Sequence, residues 1–342
     1  MHDFTAGIGL SSVMGLALAG LVASTAPGQA QQSDYIMATA STGGTYYPVG
    51  VAISTLIKTR LQPSQGIGMS AISSAGSAEN VRLLRDGEAQ FAIIQGLWGY
   101  DAYNGTGPFE SDGSQDYLRS VSMLWQNVEH FVVANDVVDT GTISDLQAVT
   151  GESMAFGAQN SGAIGSNDSI LSGFDLSVED YDLVYGGYGP SAEALQNGQV
   201  SGISIPAGVP MGAISQLFAS AGGSVSFLEF TEEQVAQADG GRDLWTQFVI
   251  PAGTYPGQEA EVATIAQPNV MVSTADTSEE DVYEITKAMY ENLAFLNAIH
   301  PATEAMNIEQ AITGLPVPLH PGAVRYYEEV GVEIPDRLMP PA

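Results

Sequence analysis

Three short loops rich in serine, threonine and glycine are the parts of this sequence best suited to chemistry. They are residues 42–45 (TGGT), 73–77 (SSAGS) and 160–163 (NSGA). Each follows an apolar run and precedes an amphipathic stretch, so each is predicted to join the C-terminal end of a strand to a helix. Free N–H groups and the helix dipole at such ends bind anions, and hydroxyls add donors. One such loop is ordinary turn and cap chemistry, but the three together favour a cleft for a small anion.

The elements that must position these loops follow an α/β pattern of short apolar runs alternating with amphipathic stretches. A capping-box pattern at Thr277 and Glu280 predicts the start of a helix that runs to about residue 299. The pattern predicts two α/β lobes. The predicted strands are residues 35–40, 68–73, 91–94, 154–157, 183–185, 202–205 and 262–273. The predicted helices include 78–86, 164–172, 191–197 and 210–219, and one with an apolar stripe over residues 49–57 that ends near Pro63.

Motifs of the common enzyme classes are missing from the sequence. His130, His300 and His320 are far apart and form no zinc-binding pair, there is no cysteine, and neither lysine follows a glycine as a phosphate-binding loop requires. Residues 187–192 fit a loose GxGxxA pattern, but a tight turn before a helix is the favoured interpretation. The sequence therefore predicts a protein without catalytic residues, cofactor or metal.

The charge balance excludes another class of partner. The chain has 39 Asp+Glu against 9 Lys+Arg, for a formal net charge of −30, and lysine occurs only at Lys58 and Lys287. No run of positive charge could neutralise several phosphates, so nucleic acid and anionic membrane surfaces are excluded as partners.

The N-terminal 30 residues are predicted to be a cleavable export signal. Residues 4–24 carry no charge, and small residues at 28 and 30 fit a cut after Ala30. The uncharged stretch approaches the roughly 20 residues that span a membrane, so an anchor is the alternative. We expect a periplasmic protein that is a monomer.

Three spaced motifs resemble the TAXI family of solute receptors, which serve tripartite ATP-independent periplasmic (TRAP) transporters. They are residues 41–50 (STGGTYYPVG), 76–84 with 87–95 (GSAENVRLL and GEAQFAIIQ), and 319–327 (LHPGAVRYY). The resemblance implies an α/β, periplasmic-binding-protein type II fold, with two lobes joined by two hinge strands around a ligand cleft. It also implies a small carboxylate ligand, such as glutamate or 2-oxoglutarate, and a TRAP permease as partner.

Site residues are carried over by position from this resemblance. Where the family usually has a Gly-Ser-Gly-Thr-like loop, this chain has NSGA, so Ala163 lacks a hydroxyl donor. Trp98, Tyr100 and Tyr103 fit either the cleft edge or the core. The implied ligand-binding residues are Thr42, Gly43, Gly44, Tyr46, Ser74, Ser77 and Gln95 in the first lobe, and Asn160, Ser161, Gly162, Ala163, Tyr188, Gly208 and Val209 in the second.

The predicted organisation is a signal at 1–30, a first lobe at 31–132, a second lobe at 133–262, and a return strand with C-terminal helices at 263–342 that completes the first lobe. The predicted function is capture of a small carboxylate by lobe closure and its delivery to a TRAP permease. A receptor that presents its ligand to a membrane sensor kinase is an alternative, and a periplasmic enzyme on the same scaffold is a further one.

Overall fold

The structure is a computed structural model that describes residues 32–40, 42, 45–159, 161–221 and 223–341. The predicted signal at 1–30 lies outside the described residues. The strands are β1 (Ser33–Ala38), β2 (Ile67–Ile72), β3 (Phe91–Gln95), β4 (Leu118–Val128), β5 (Phe131–Ala134), β6 (Ser153–Ala155), β7 (Asp182–Leu183), β8 (Gly202–Ser204), β9 (Val225–Phe227), β10 (Thr246–Ile250) and β11 (Val262–Thr274).

Helices follow most of these strands. The α-helices are α1 (Tyr46–Arg60), α2 (Gln62–Gln65), α3 (Ser77–Arg85), α4 (Gly96–Asn104), α5 (Gly162–Ser172), α6 (Tyr188–Gln196), α7 (Gly212–Ala221), α8 (Glu232–Asp239), α9 (Glu279–Glu291), α10 (Leu293–Asn297) and α11 (Pro321–Glu329). Short 3-10 helices lie at Gly107–Phe109, Ile143–Val149, Val178–Asp180, Pro301–Ala305 and Asp336–Leu338. No helix in the described part of the chain is both long enough and apolar enough to cross a membrane.

The first sheet has six strands in the order β10-β11-β3-β1-β2, with β4 also paired to β11. Strands β1, β2 and β3 are parallel, whereas β11 runs antiparallel to β3, β4 and β10. Every residue of β3 is buried, as expected for a short apolar strand covered on both faces. Because parallel strands end at the same edge, the loops after β1, β2 and β3 meet there.

The second sheet has five strands in the order β7-β6-β8-β5-β9. Strands β6, β7 and β8 are parallel, and β5 is antiparallel to β8 and β9. The chain enters this sheet from β4 into β5 and returns to the first sheet through β10 and β11. We call the first sheet with its helices the first lobe and the second sheet with its helices the second lobe.

The apolar interior follows this division. One core cluster surrounds the first sheet and includes the helices α9 and α11, and two smaller clusters cover the second sheet. The predicted α/β class with two lobes is confirmed. The predicted limits of the segments at 31–132, 133–262 and 263–342 stay a prediction.

The predicted strands and helices have observed counterparts, whereas β4, β9, β10, α4 and α8 were not predicted. Strand β4 was not predicted, because its serines, glutamine and asparagine interrupt the apolar pattern of residues 118–128. The capping residue of α9 is also one position later than predicted, because Ser278, and not Thr277, accepts the hydrogen bond from Asp281 N. The helix ends at Glu291, before the predicted 299.

The LHPG stretch before α11 joins the C-terminal helices to the first lobe. The buried His320 caps α11: its Nδ1 accepts from Gly322 N at 3.1 Å, so its Nε2 donates to Thr277 O, also at 3.1 Å. Gly322 lies against the backbone of α9, where a Cβ atom would be 2.7 Å from Tyr283 N. This stretch therefore packs two helices together.

Candidate functional site

A row of three buried side chains crosses the first sheet where β3 ends. Asn269 of β11 lies opposite Gln95 of β3 on one side and opposite Trp125 of β4 on the other. Cross-strand partners project from the same face of a sheet, so these three side chains share one face. All three are buried, with Asn269 fully so.

Tyr46, in the first turn of α1, lies over this row. Its hydroxyl donates to Asn269 Oδ1 at 2.5 Å, and its ring meets the Trp125 ring edge-on at a centroid distance of 5.7 Å. Burial raises the pKa of Tyr46. A hydrogen bond with Ser77 lowers this pKa in part, and the neighbouring Tyr188 raises it again. Tyr46 is therefore a neutral hydrogen-bond donor at physiological pH.

The end of β3 and the start of α4 place two buried polar atoms against the second lobe. Gln95 N donates to Ser77 Oγ at 3.1 Å, which ties β3 to the first turn of α3. Gln95 Oε1 and the indole Nε1 of Trp98, in the first turn of α4, are buried without a partner among the described residues. A buried polar atom left unpaired costs free energy, so these atoms indicate where a ligand would bind.

The N-terminus of α5 in the second lobe meets these atoms directly. A Cβ atom on Gly162 would lie 2.5 Å from Gln95 Oε1 and 3.2 Å from Trp98 Nε1, and one on Gly165 would lie 3.2 Å from Trp98 Cζ2. The hydroxyl of Ser161, the N-cap of α5, is buried and has no partner within the described part of the chain. The lobes are thus in contact here, and glycine permits the close approach.

Gln267 of β11 links both lobes to the hinge. Its Oε1 accepts from Leu97 N in α4 at 2.8 Å, and its Nε2 donates to Ser166 Oγ in α5 at 2.8 Å. Gln267 and Ser166 are both fully buried. One side chain therefore holds the first turn of α4 and the body of α5 in a fixed relation.

A buried carboxyl group, that of Glu129, lies where the chain passes from β4 to β5. Ser204 Oγ, at the end of β8, donates to Glu129 Oε2 at 3.3 Å, and Oε1 has no partner among the residues described. Burial raises the pKa of Glu129 to about 8, opposed by the Ser204 hydrogen bond. Tyr188, at the start of α6, has its pKa raised by burial and also by Glu129. Glu129 is therefore mostly uncharged at neutral pH.

Five of the predicted ligand-binding residues come together in this region. Tyr46, Ser77 and Gln95 belong to the first lobe, and Ser161 and Gly162 belong to the second, as the contacts above describe. Their roles in binding stay a prediction.

Other predicted residues have different surroundings. Thr42 is an exposed turn residue. The hydroxyl of Ser74 lies 2.6 Å from Asn80 Oδ1 and accepts from Gly76 N at 3.1 Å, so it braces its own loop. Ala163 is buried beneath the start of α5. Gly43, Gly44 and Asn160 lie outside the described residues.

The remaining three predicted residues line the second lobe. Tyr188 is partly buried and lies near both Tyr46 and Glu129. A Cβ atom on Gly208 would lie 3.6 Å from Trp125 Cδ1, so this turn faces the hinge. Val209 packs against the apolar cluster of the second lobe.

Sequence reasoning missed the hinge side chains at Trp125, Glu129, Gln267 and Asn269. One signal could have found two of them: Gln267 and Asn269 are polar residues two positions apart in an otherwise apolar strand, so both project from one face. The sequence left open whether Trp98 lies at the cleft edge or in the core. The structure places it at the boundary of the two, because its ring packs edge-on against Phe109 while its Nε1 faces Gly162.

Among the described residues, the site contacts involve neither a cationic side chain nor a metal-binding cluster. None of the contacts above involves lysine or arginine, and the described residues include no cluster of three His, Asp or Glu side chains that could hold a metal ion. The arginines and Lys287 make their hydrogen bonds and ion pairs elsewhere in the molecule. Their partners are acidic side chains, backbone carbonyls, a serine and a tyrosine. Two surface recesses, at residues 253–259 and between α6 and α7, contain none of the site groups named above.

His130, next to Glu129, holds the backbone of the hinge. Its Nδ1 lies 2.9 Å from the carbonyl oxygens of both Val128 and Ile205, so it donates there, and its Nε2 accepts from the Tyr255 hydroxyl at 2.7 Å. Burial lowers the pKa of His130 to about 4. The imidazole is therefore neutral and fully engaged in structural hydrogen bonds.

Solved structures with the same fold share little sequence with this chain. PhnD1 from Prochlorococcus marinus, in complex with methylphosphonate, has 11% identity, covers 87% of this chain and 96% of its own, and has a TM-score of 0.51. A Xanthomonas citri protein bound to a chloride ion has the same identity and coverages and a TM-score of 0.50. The periplasmic aliphatic sulphonate binding protein SsuA from Escherichia coli has 13% identity, 88% coverage of both chains and a TM-score of 0.45.

The likeness to PhnD1 and to the chloride-bound protein confirms the type II periplasmic-binding-protein fold predicted from the sequence. The model of the NMT1-like family matches residues 37–331. This match includes both lobes and most of the C-terminal helices. The chain therefore belongs to the NMT1-like family, which is of the periplasmic-binding-protein type.

Proposed function

We propose that this protein is an exported, periplasmic solute-binding protein of the TAXI type, which captures a small carboxylate and delivers it to a TRAP permease. The observation that carries the proposal is a set of buried donors, without partners in the described part of the chain, that the two lobes and the hinge bring together. They are Trp98 Nε1, Asn269 Nδ2 and the Ser161 hydroxyl, at the N-terminus of α5. A ligand with acceptor oxygens would pair all three.

The chemistry of these donors favours a carboxylate. Trp98, Asn269 and Ser161 supply neutral donors, and the first turn of α5 adds free N–H groups and the positive end of its dipole. Such groups replace the formal charge of a lysine or arginine. A phosphonate can carry two negative charges, and the arginine and lysine side chains that often pair with such groups are not among the site contacts.

Closure of the lobes is the step that the ligand would control. Gly162 and Gly165 let α5 lie against Gln95 and Trp98, so a ligand held there touches both lobes only when they are closed. A ligand shifts a conformational equilibrium by its difference in affinity for the two states. Donors from both lobes supply that difference.

Delivery to a TRAP permease rests on the resemblance of the three sequence motifs to TAXI receptors. A receptor that presents the same ligand to a membrane sensor kinase would have the same site, and genes for a multi-spanning permease beside this one would favour transport. A periplasmic enzyme on this scaffold is the weaker alternative, because His130 and His320 are both engaged in structural hydrogen bonds.

The test is identification of the bound ligand. Native mass spectrometry of the protein as purified would detect a retained ligand, and thermal-shift and calorimetric titrations would follow with glutamate, glutamine, 2-oxoglutarate, C4-dicarboxylates, methylphosphonate and an alkanesulfonate. We expect binding of at least one carboxylate, weakened in a Trp98→Phe variant. Binding of only the phosphonate or sulfonate would refute the carboxylate proposal.

A further inference from the structure

Glu129 lies on the face of the hinge that carries the site. In the paired region of β4 and β11, Trp125 is opposite Asn269 and Asn127 is opposite Gln267. The pairing continues through the hydrogen bond from Glu129 N to Ile265 O at 3.0 Å. Side chains two positions apart on a strand project to one side, so Trp125, Asn127 and Glu129 share the face of Asn269 and Gln267.

The same residue also lies at the ligand-binding edge of the second sheet. Strand β5 begins two residues after Glu129 and runs antiparallel to β8, with Phe131 opposite Ser204 at the C-terminal end of β8. Because β6, β7 and β8 are parallel, α5 and α6 begin at that edge too. Glu129 therefore lies between the hinge face and the N-termini of two helices.

The groups that face Glu129 include no cation in the described part of the molecule. Ser204 of β8 donates to Oε2, and Tyr188 of α6 is its neighbour. Thr264 of β11 donates to the backbone carbonyl of Glu129 and leaves the carboxyl untouched, and His130 points to Tyr255. A fully buried carboxyl is costly when charged unless a cation or strong donors pair with it.

We propose that Glu129 binds the ammonium group of the ligand, so that the protein selects amino acids over the corresponding 2-oxo acids. This inference rests on the proposed function, in which the ligand carboxylate binds at the N-terminus of α5. Glu129 would then bind the second charged group of the same ligand, its ammonium group. Trp125 and Glu129 are four residues apart on one face of the hinge, the face that also carries Asn269.

The proton balance of binding follows from the same contact. The free protein holds a proton on Glu129 at neutral pH, because burial raises its pKa to about 8. An ammonium group already carries its own proton, so its pairing with the carboxylate requires Glu129 to release a proton to the solvent. Binding of an amino acid at about pH 7 should release close to one proton, whereas a 2-oxo acid should release none.

Calorimetric titration with matched ligand pairs tests this inference. The pairs are L-alanine with pyruvate, and L-glutamate with 2-oxoglutarate, each titrated at about pH 7 in two buffers of different ionisation enthalpy. In whichever pair binds, we expect the amino acid to bind at least about tenfold more tightly than the matching 2-oxo acid. Binding of the amino acid should also release a proton. Glu129→Gln should remove both the preference and the proton release, and Glu309→Gln, at an exposed carboxylate, should change neither.

The outcomes separate the two proposals. Equal or tighter binding of the 2-oxo acid overturns the role of Glu129 and leaves the carboxylate proposal standing. Unchanged proton release in Glu129→Gln also overturns it. Failure of every carboxylate, with or without an ammonium group, refutes the proposed function and this inference together. The comparison of the two ligands in the wild-type protein requires no variant, so it remains decisive if Glu129→Gln does not fold.

Discussion

Replacement of Glu129 by glutamine should change how the stability of the ligand-free protein depends on pH. The carboxyl is fully buried and its pKa rises from an ordinary 4.5 to about 8, chiefly through burial. The folded state therefore keeps a proton that the unfolded state loses above about pH 4.5. The stabilising effect is complete below that pH and is lost as the pH rises through about 8.

The size of the effect follows from the pKa difference. A shift from 4.5 to about 8 corresponds to about 5 kcal/mol of unfolding free energy lost between low pH and pH 9. His130 and His320, whose pKa values fall to about 4, reduce stability only below about pH 6.5. Between about pH 6.5 and 9 the wild-type protein should therefore lose about 2 kcal/mol through Glu129.

Urea denaturation across that pH window measures the effect. Glutamine is close in shape and stays neutral, so Glu129→Gln should be more stable than the wild type by about 3 kcal/mol at pH 6.5 and about 5 kcal/mol at pH 9. Glu309→Gln removes an exposed carboxylate and serves as the control. Parallel pH profiles for wild type and Glu129→Gln would show that the carboxyl is not buried as described and would refute the reasoning.

Further predictions concern the interlobe contact, the C-terminal helices and the surface charge. Trp98→Phe should weaken carboxylate binding about tenfold in calorimetry, because it deletes the Nε1 that has no partner among the described residues, and should lower the melting temperature modestly, because it shortens a buried ring. Gly162→Val should hinder closure and lower affinity more than Gly189→Val, since a Cβ atom at Gly162 meets Gln95 whereas one at Gly189 meets nothing within 4 Å; equal affinities would contradict the closure model. Gly322→Ala should destabilise the fold by about 2 kcal/mol or more in denaturation experiments, because its Cβ would collide with the backbone of α9. Stopped-flow association of an anionic ligand should become faster with added salt, given the formal net charge of −30, and a slower rate would count against binding at a neutral site.

Several features of the site could be predicted from the sequence because they are local. Gln95 ends an apolar run and Ser77 follows a glycine, and both lie at strand–helix junctions, where anion-binding groups collect in α/β folds. The N-terminus of α5 was recognisable in the same way from Ser161 and Gly162. The alternation of apolar runs and amphipathic stretches likewise predicted the two lobes.

The hinge face could not be predicted in this way, because it depends on pairing between distant segments. Asn269 reaches Gln95 and Trp125 only through the register of β11 with β3 and β4, and β4 itself has too many polar residues to stand out as a strand. Glu129, as one acid among 39 Asp+Glu, carries no signal in the sequence that marks it as buried.

The sequence by itself thus determined the α/β class, the strand–helix loops and the scarcity of positive charge, because each depends on residue type and short-range periodicity. Only the tertiary structure decided which polar groups meet between the lobes and which remain without partners. The physical reason is that burial and hydrogen-bond partnership depend on the contacts of the whole chain. A buried Glu129 carboxyl, or a buried Trp98 Nε1 without a partner among the described residues, exists only once strands and helices that are far apart in sequence have come together.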